Sequence, residues 1–157
     1  MQFHNSNISK IVSSFGGLIQ QFNGENFLAF WNLYEDVEGY DKLASRAAIN
    51  LIHLAHDHIH LHFKSYGYQN FHFSIGLVKE KINVDCVELK GEKVPIIYEN
   101  TIDTTKQIFE AAPKFTAFFH EKIINELVKN DLPPMRKLFN VKLKGDAQGA
   151  RIFSFKI

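Results

Sequence analysis

Histidine is the residue type in this 157-residue sequence whose placement could most directly support chemistry. Six of the eight histidines fall between residues 53 and 72. Imidazole is the commonest metal ligand in proteins, and it titrates near neutral pH. If they share one surface, two or three of these side chains could bind zinc or another divalent cation, with water completing the shell. The candidate ligands are His58, His60, His62 and His72.

The elements that would bring these histidines together are predicted to be strands. Apolar and histidine residues alternate across 58–63, and a second alternating run follows at 71–77. Two such runs around a short glycine-containing loop indicate a β-hairpin. One register places His62 opposite His72 on one face, with the apolar residues on the other face. We favour this interpretation.

The competing interpretation continues a helix to about residue 63. It places His53, His56, Asp57 and His60 on one helical face, with side chains one turn apart. It also puts His58 and His62 beside the apolar stripe of the helix, which is why we rank it second.

Other catalytic patterns are missing from the sequence. The serines lie in no nucleophile-elbow pattern, and Gly16-Gly17 is not a phosphate-binding loop. The single cysteine, Cys86, is expected to be a buried structural thiol. The sequence therefore favours a protein that is not an enzyme, and we predict no cofactor. Zinc, or another divalent metal, at the histidines is the alternative.

An acidic segment is the second candidate site. Residues 25–41 carry five acidic side chains and no basic one, and aromatic residues accompany them. Aromatic side chains ringed by charge are typical of interface hot spots. We predict that this segment binds another protein, and a basic partner would suit it. The proposed contact residues are Trp31, Tyr34, Glu35, Asp36, Glu38 and Asp41.

The overall charge balance argues against other classes of partner. Eighteen basic residues nearly cancel seventeen acidic ones, so global electrostatics attracts neither nucleic acid nor a membrane. No apolar run approaches the ~20 residues that cross a bilayer. Because the sequence opens without a signal-peptide pattern, we expect a cytoplasmic protein.

Periodicity predicts an α+β fold in one domain spanning residues 1–157. Helices are expected at 8–22, 27–34, from 41 onward, after Thr104, and at 115–127; strands are expected at 82–86 and 94–98, and a closing hairpin at 139–157. This order favours N-terminal helices packed on a largely antiparallel sheet.

For function, the sequence favours a non-enzymatic protein-binding module. A small intracellular inhibitor, or an immunity-type protein that neutralises a toxin, fits the small size and the acidic segment. The alternative is a metal-dependent enzyme or metal sensor that uses the cluster from His53 to His72.

Overall fold

The computed structural model describes residues 2–22, 26–32, 39–82, 84–97, 103–125, 127, 133, 136–141 and 150–157. The described elements, in chain order, are α1 (Gln2–Ser14), β1 (Leu18–Phe22), β2 (Phe27–Phe30), α2 (Tyr40–Leu54), a π-helical turn (Ala55–Ile59), α3 (His60–Ser65), β3 (Ser74–Leu77), β4 (Val84–Leu89), β5 (Glu92–Ile97), α4 (Asp103–Ala111), β6 (Thr116–His120), α5 (Glu121–Ile124), β7 (Arg136–Val141) and β8 (Ala150–Lys156). This mixture confirms the predicted α+β class.

The main sheet has four strands in the order β3-β6-β8-β7. β3 and β6 run parallel, with Ser74 opposite Thr116, whereas β6, β8 and β7 are antiparallel neighbours. The predicted C-terminal hairpin is confirmed as β7 and β8. The sheet is therefore mixed. Two of its three strand pairings are antiparallel, as predicted, and the pairing of β3 with β6 is parallel.

Helices cover this sheet on both faces. The larger core joins α1 and α2 to one face, through residues such as Val12, Ile52 and Phe119. The smaller core joins α4 to the other face, where Ile108 packs with Phe118 and Ile152. Alternation along β6 produces this division, because neighbouring strand residues point to opposite faces.

Two further hairpins stand outside the four-stranded sheet. β1 and β2 pair antiparallel, and every residue of β2 is half-buried. β4 and β5 also pair only with each other among the described residues, which agrees with the edge position predicted from Pro95. All of β4 beyond Val84 is exposed, Cys86 included, so the prediction of a buried thiol is wrong.

The histidine-rich segment is helical, and the predicted hairpin at 58–77 is wrong. The chain continues from α2 through the π-helical turn into α3, ending at Ser65. Within the turn, Ala55 and Ile59 stay buried one turn apart, whereas Leu61 is 57% exposed. The alternation therefore arises from histidines on an exposed helical surface, and only β3 of the predicted hairpin exists.

Three other predicted helices are strands wholly or in part. The predicted helix at 8–22 ends at Ser14 and gives way to β1, and residues 27–30 form β2. The i+4 spacing of Phe115 and Phe119 indicated a helix, but β6 occupies this region, and all of its residues are buried. A strand covered on both faces carries no alternating polar residues, so its period is hidden.

Candidate functional site

A groove lies between β2 and β3 in the described part of the chain. It consists of two adjoining cavities with volumes of about 440 and 320 Å³. We call the larger one the slot and the smaller one the cleft. Seven residues line both cavities: Leu28, Ala29, Trp31, Ala44, Gly76, Leu77 and Thr105. Both volumes fall in the range that binds small ligands.

The slot runs along the edges of two strands. In a strand, successive side chains point to opposite faces, so a cavity over one face contacts every second residue. The slot instead contacts consecutive residues, 26–29 on one side and 72–77 on the other. Its sides are therefore the backbone edges of β2 and β3. Within the described part of the chain, each of these strands has one strand neighbour, β1 and β6 respectively.

The slot is also closed above and below by helices. Ala44, Ala48 and Leu51 line it from α2, at spacings of four and three residues. From the opposite face α4 packs closely on Gly76: a Cβ at this position would stand 2.6 Å from the backbone nitrogen of Phe109. Glycine is thus required for the helix to approach this strand so closely.

The cleft is the more polar cavity and contains a paired lysine. Lys79 Nζ lies 3.1 Å from Asp41 Oδ2 and 5.1 Å from the centre of the Tyr40 ring. Burial alone would lower the pKa of Lys79, but hydrogen bonds to Tyr40 and Asp41 and the charge of Asp41 outweigh it and raise the pKa. Lys79 therefore remains a cation. The exposed Lys81 and the side chains of Asn32 and Thr105 also line this cavity.

The predicted acidic contact site lies only partly within the described residues. Tyr34, Glu35, Asp36 and Glu38 fall outside them. Asp41 is bound to Lys79, and Trp31 donates its Nε1–H to the carbonyl of Phe15 at 2.9 Å. The Trp31 ring packs against the main core and lines both cavities. That these residues bind a protein partner stays a prediction.

The helical conformation disperses the four predicted metal ligands. His58, His62 and His72 are exposed, and His60 is half-buried, with its ring in a T-shaped contact with Phe115. His62 contacts His4 from α1. The structure instead brings together two histidines and a carboxylate from the competing interpretation: His56 Nδ1 lies 2.7 Å and His53 Nδ1 3.4 Å from Asp57. The hydrogen bond with His56 is the main reason why the pKa of Asp57 is lowered.

No protein-family profile matches the sequence, and no curated protein sequence matches it. Solved structures do match. The guanylyl cyclase Cya2 superimposes with a TM-score of 0.76 at 15% identity, covering 96% of this chain and 75% of that one. The chain has the fold of a nucleotide cyclase domain.

Two more cyclase domains extend the likeness. The guanylate cyclase domain of RhGC from Catenaria anguillulae, in complex with GTP, gives a TM-score of 0.68 at 10% identity, covering 98% of this chain and 79% of that one. The catalytic core of a rhodopsin-guanylyl cyclase with converted specificity, in complex with ATPαS, gives a TM-score of 0.67 at 10% identity. The match covers 99% of this chain and 80% of that one. The cyclase fold thus extends over nearly the whole of this chain.

The cyclase fold corrects the predicted function. A non-enzymatic inhibitor or immunity-type protein is wrong, because the matching structures are enzyme domains that act on nucleotides. The cofactor prediction is wrong as well, both as "none" and as zinc at the histidines. Nucleotide phosphates generally carry Mg²⁺, and the predicted histidine ligands do not converge.

A metal held by the protein itself does not fit the side chains that the structure describes. Among them, no group of three or more His, Cys, Asp or Glu residues is placed to bind a metal ion. In the cleft, Asp41 is already paired with Lys79. We therefore assign no step to a metal. Likewise, no helix in the described ranges is long and apolar enough to cross a membrane.

Sequence reasoning missed the residues that shape the groove. Lys79 and Asp41 are 38 positions apart, so their pairing needs the fold to be known. Gly76 did carry a signal, since a lone glycine inside a strand pattern indicates close approach of another backbone. Thr105 and Lys106 belong to a predicted helix whose orientation the sequence leaves undefined.

Proposed function

We propose that this chain binds a purine nucleoside triphosphate, with its phosphates in the cleft. The observation that carries the proposal is the fold: between 96% and 99% of the chain superimposes on cyclase domains, one solved with GTP and one with ATPαS. Fold alone does not define a ligand, so the side chains of the groove must also suit a nucleotide.

The cleft supplies the groups that a nucleotide needs. Lys79 and Lys81 provide positive charge for phosphate oxygens, and Thr105 and Asn32 provide hydrogen-bonding side chains. The apolar and aromatic walls, including Leu77 and Tyr40, offer a surface for the base. This separation of polar from apolar groups within one cavity supports a nucleotide rather than a purely apolar ligand.

The proposal includes a location in the cytoplasm. Nucleoside triphosphates are abundant there, and the exposed free thiol of Cys86 suits a reducing compartment.

Calorimetric titration with GTP, ATP and CTP in the presence of Mg²⁺ tests the proposal. We expect saturable binding of GTP or ATP and weaker binding of CTP. Lys81→Met should weaken binding about tenfold, because it removes one charge-assisted contact to phosphate. Lys93→Met is the matched control: Lys93 is equally exposed but lies on β5, outside the groove, and its loss should leave affinity unchanged.

Two results would overturn the proposal. The first is the absence of binding by the folded chain for all three nucleotides at millimolar concentration. The second is an equal loss of affinity in the Lys81→Met and Lys93→Met variants, which would remove the cleft as the site. Chromatography of the same mixtures would detect cyclic product and so separate binding from conversion.

A further inference from the structure

We propose that the end of α3 and the loop after it bind the surface of a membrane that contains anionic lipid. This inference does not rest on nucleotide binding. Its basis is a group of exposed side chains that we call the tyrosine tip: Leu61, His62, Lys64, Tyr66, Tyr68 and His72. Every residue from 64 to 70 is exposed, and neither cavity of the groove contains a residue of that stretch.

The main chain at the tip forms a regular helix end. Gly67 has a positive φ of 86°, and its N–H donates to the carbonyl of Lys64 at 3.0 Å. The N–H of Tyr68 donates to the carbonyl of Phe63, also at 3.0 Å. These two hydrogen bonds form a Schellman motif, with glycine in the left-handed position. The apolar contact that accompanies the motif is present as well, because the rings of Tyr68 and Phe63 meet edge to face.

Other rings support the two tyrosines from below. The ring of Phe63, which contacts Tyr68, stacks on Phe71 with 5.0 Å between the ring centres, and Phe71 packs against the main core. Tyr66 makes a T-shaped contact with His62 at 5.1 Å. A supported aromatic side chain loses little conformational entropy when it binds a partner. The tip is therefore prepared for contact without rearrangement.

The helix end does not account for the exposed apolar area of the tip. Tyr66 is 70% exposed and Leu61 is 57% exposed, and Tyr68 stays 65% exposed although its ring completes the motif. The hydrogen bonds of the motif are all between main-chain groups, so they need neither the ring of Tyr66 nor the side chain of Leu61. Tyrosine is enriched where a membrane meets water, because its ring is apolar and its hydroxyl is polar.

The charge around the tip has one sign. Residues 58–78 include four histidines and Lys64 but no acidic residue. α1, which reaches the tip through the contact of His4 with His62, has no acidic residue either. Asp57, the preceding acidic residue, is paired with His56 at 2.7 Å. The net charge of +1, from which we expected no attraction to a membrane, averages over this local surplus of basic groups.

The geometry and the charge together favour a lipid surface over other partners. Hot spots between proteins are packed in pockets, and single-stranded nucleic acid follows a basic groove. The two tyrosines instead project from a helix end, outside both cavities of the groove. Apolar and aromatic side chains beside basic ones are typical of segments that lie in the headgroup layer. The cytoplasmic leaflet is anionic, and the cytoplasm is the location proposed above.

Co-sedimentation of the full chain with lipid vesicles tests the inference. The probe is a vesicle of phosphatidylcholine that contains phosphatidylserine, and the control is a vesicle of phosphatidylcholine alone. We expect saturable binding to the first and binding about tenfold weaker or less to the second, because basic groups near an anionic surface raise the affinity. Added salt should weaken the binding, since it screens exposed charges.

Two pairs of variants locate the binding surface. Leu61→Ser should lower the affinity about fivefold by removing apolar contact with lipid, and Leu89→Ser should leave it unchanged. Leu89 is the matched control because it is also 57% exposed but lies on β4, opposite Glu92. Lys64→Glu should lower the affinity about tenfold or more, and Lys93→Glu, at an exposed position of β5, should not.

Three results would overturn the inference. One is the absence of binding to the anionic vesicles by a chain that binds polyglutamate, which would make an acidic protein the partner. Another is equal binding to both kinds of vesicle. The third is an equal loss of affinity in the Leu61→Ser and Leu89→Ser variants. Circular dichroism checks that each variant is folded, and if one is not, the two kinds of vesicle with the native chain decide the question.

Discussion

β6 and β2 are both short, mostly apolar strands, yet their surroundings differ. β6 lies between β3 and β8, with helices on both faces, and all five of its residues are buried. β2 has β1 as its neighbour, and its four residues are all half-buried. The contrast shows what helices on both faces and a second strand neighbour together contribute to the burial of a short strand.

Truncating a large side chain in each strand should produce the largest difference. Phe119→Ala in β6 is expected to lower the free energy of unfolding by about 3–5 kcal/mol, because Phe119 is fully buried. Leu28→Ala in β2 should cost about 1–2 kcal/mol, because less apolar area leaves contact with protein. Urea denaturation of both variants measures the two values. Equal losses would mean that β2 is enclosed as fully as β6.

The close approach of α4 to β3 gives a smaller but more specific effect. Gly76→Ala should destabilise the chain by about 1–3 kcal/mol, because the new Cβ would collide with the backbone at Phe109. Replacing glycine by alanine in a permissive strand would instead stabilise by a few tenths to about 1 kcal/mol. A neutral or stabilising Gly76→Ala variant would therefore contradict the close packing that closes the slot.

Two half-buried histidines, His4 in α1 and His60 in α3, should make the stability of the fold depend modestly on pH. Burial is the main reason why the pKa values of His4 and His60 are lowered; the charge of His62 adds to this at His4, and that of Lys114 at His60. Because their folded pKa is depressed, these histidines bind protons more readily in the unfolded chain. Stability should thus be unaffected at high pH and fall as the pH drops through 6.5, their ordinary value.

Urea midpoints between pH 7.5 and 5.5 measure this fall. His4→Gln and His60→Gln should each reduce the fall in stability. His58→Gln, at an exposed position, should leave the fall unchanged. An identical slope in all three variants would exclude the two half-buried histidines as its cause.

The sequence predicted the elements whose apolar and polar residues recur with a clear period. β8 shows a two-residue period, because Phe153 and Phe155 are separated by Ser154, and α2 carries a long helical stripe. β6 is covered on both faces, and β2 offers only four apolar residues, so neither shows a period. In the histidine segment, an alternating pattern coincided with an exposed helix surface.

The groove was beyond sequence reasoning for a topological reason. Its sides come from β2 and β3, and its faces from α2 and α4, four elements spread from Phe27 to Ala111. The sequence identified α2 and α4 but not how the strands are ordered. Trp31 and Asp41 were selected as partner contacts, and the structure places both in the lining of the groove, where Asp41 pairs with Lys79.

Residue-resolved hydrogen exchange of the free chain tests most directly whether the slot is open. In β6, amides should exchange uniformly slowly, because strands flank it on both sides. In β3, successive amides should alternate between slow exchange, where they pair with β6, and fast exchange, where they face the slot. Uniform protection along β3 in the free chain would contradict the account, because the slot would then already be filled.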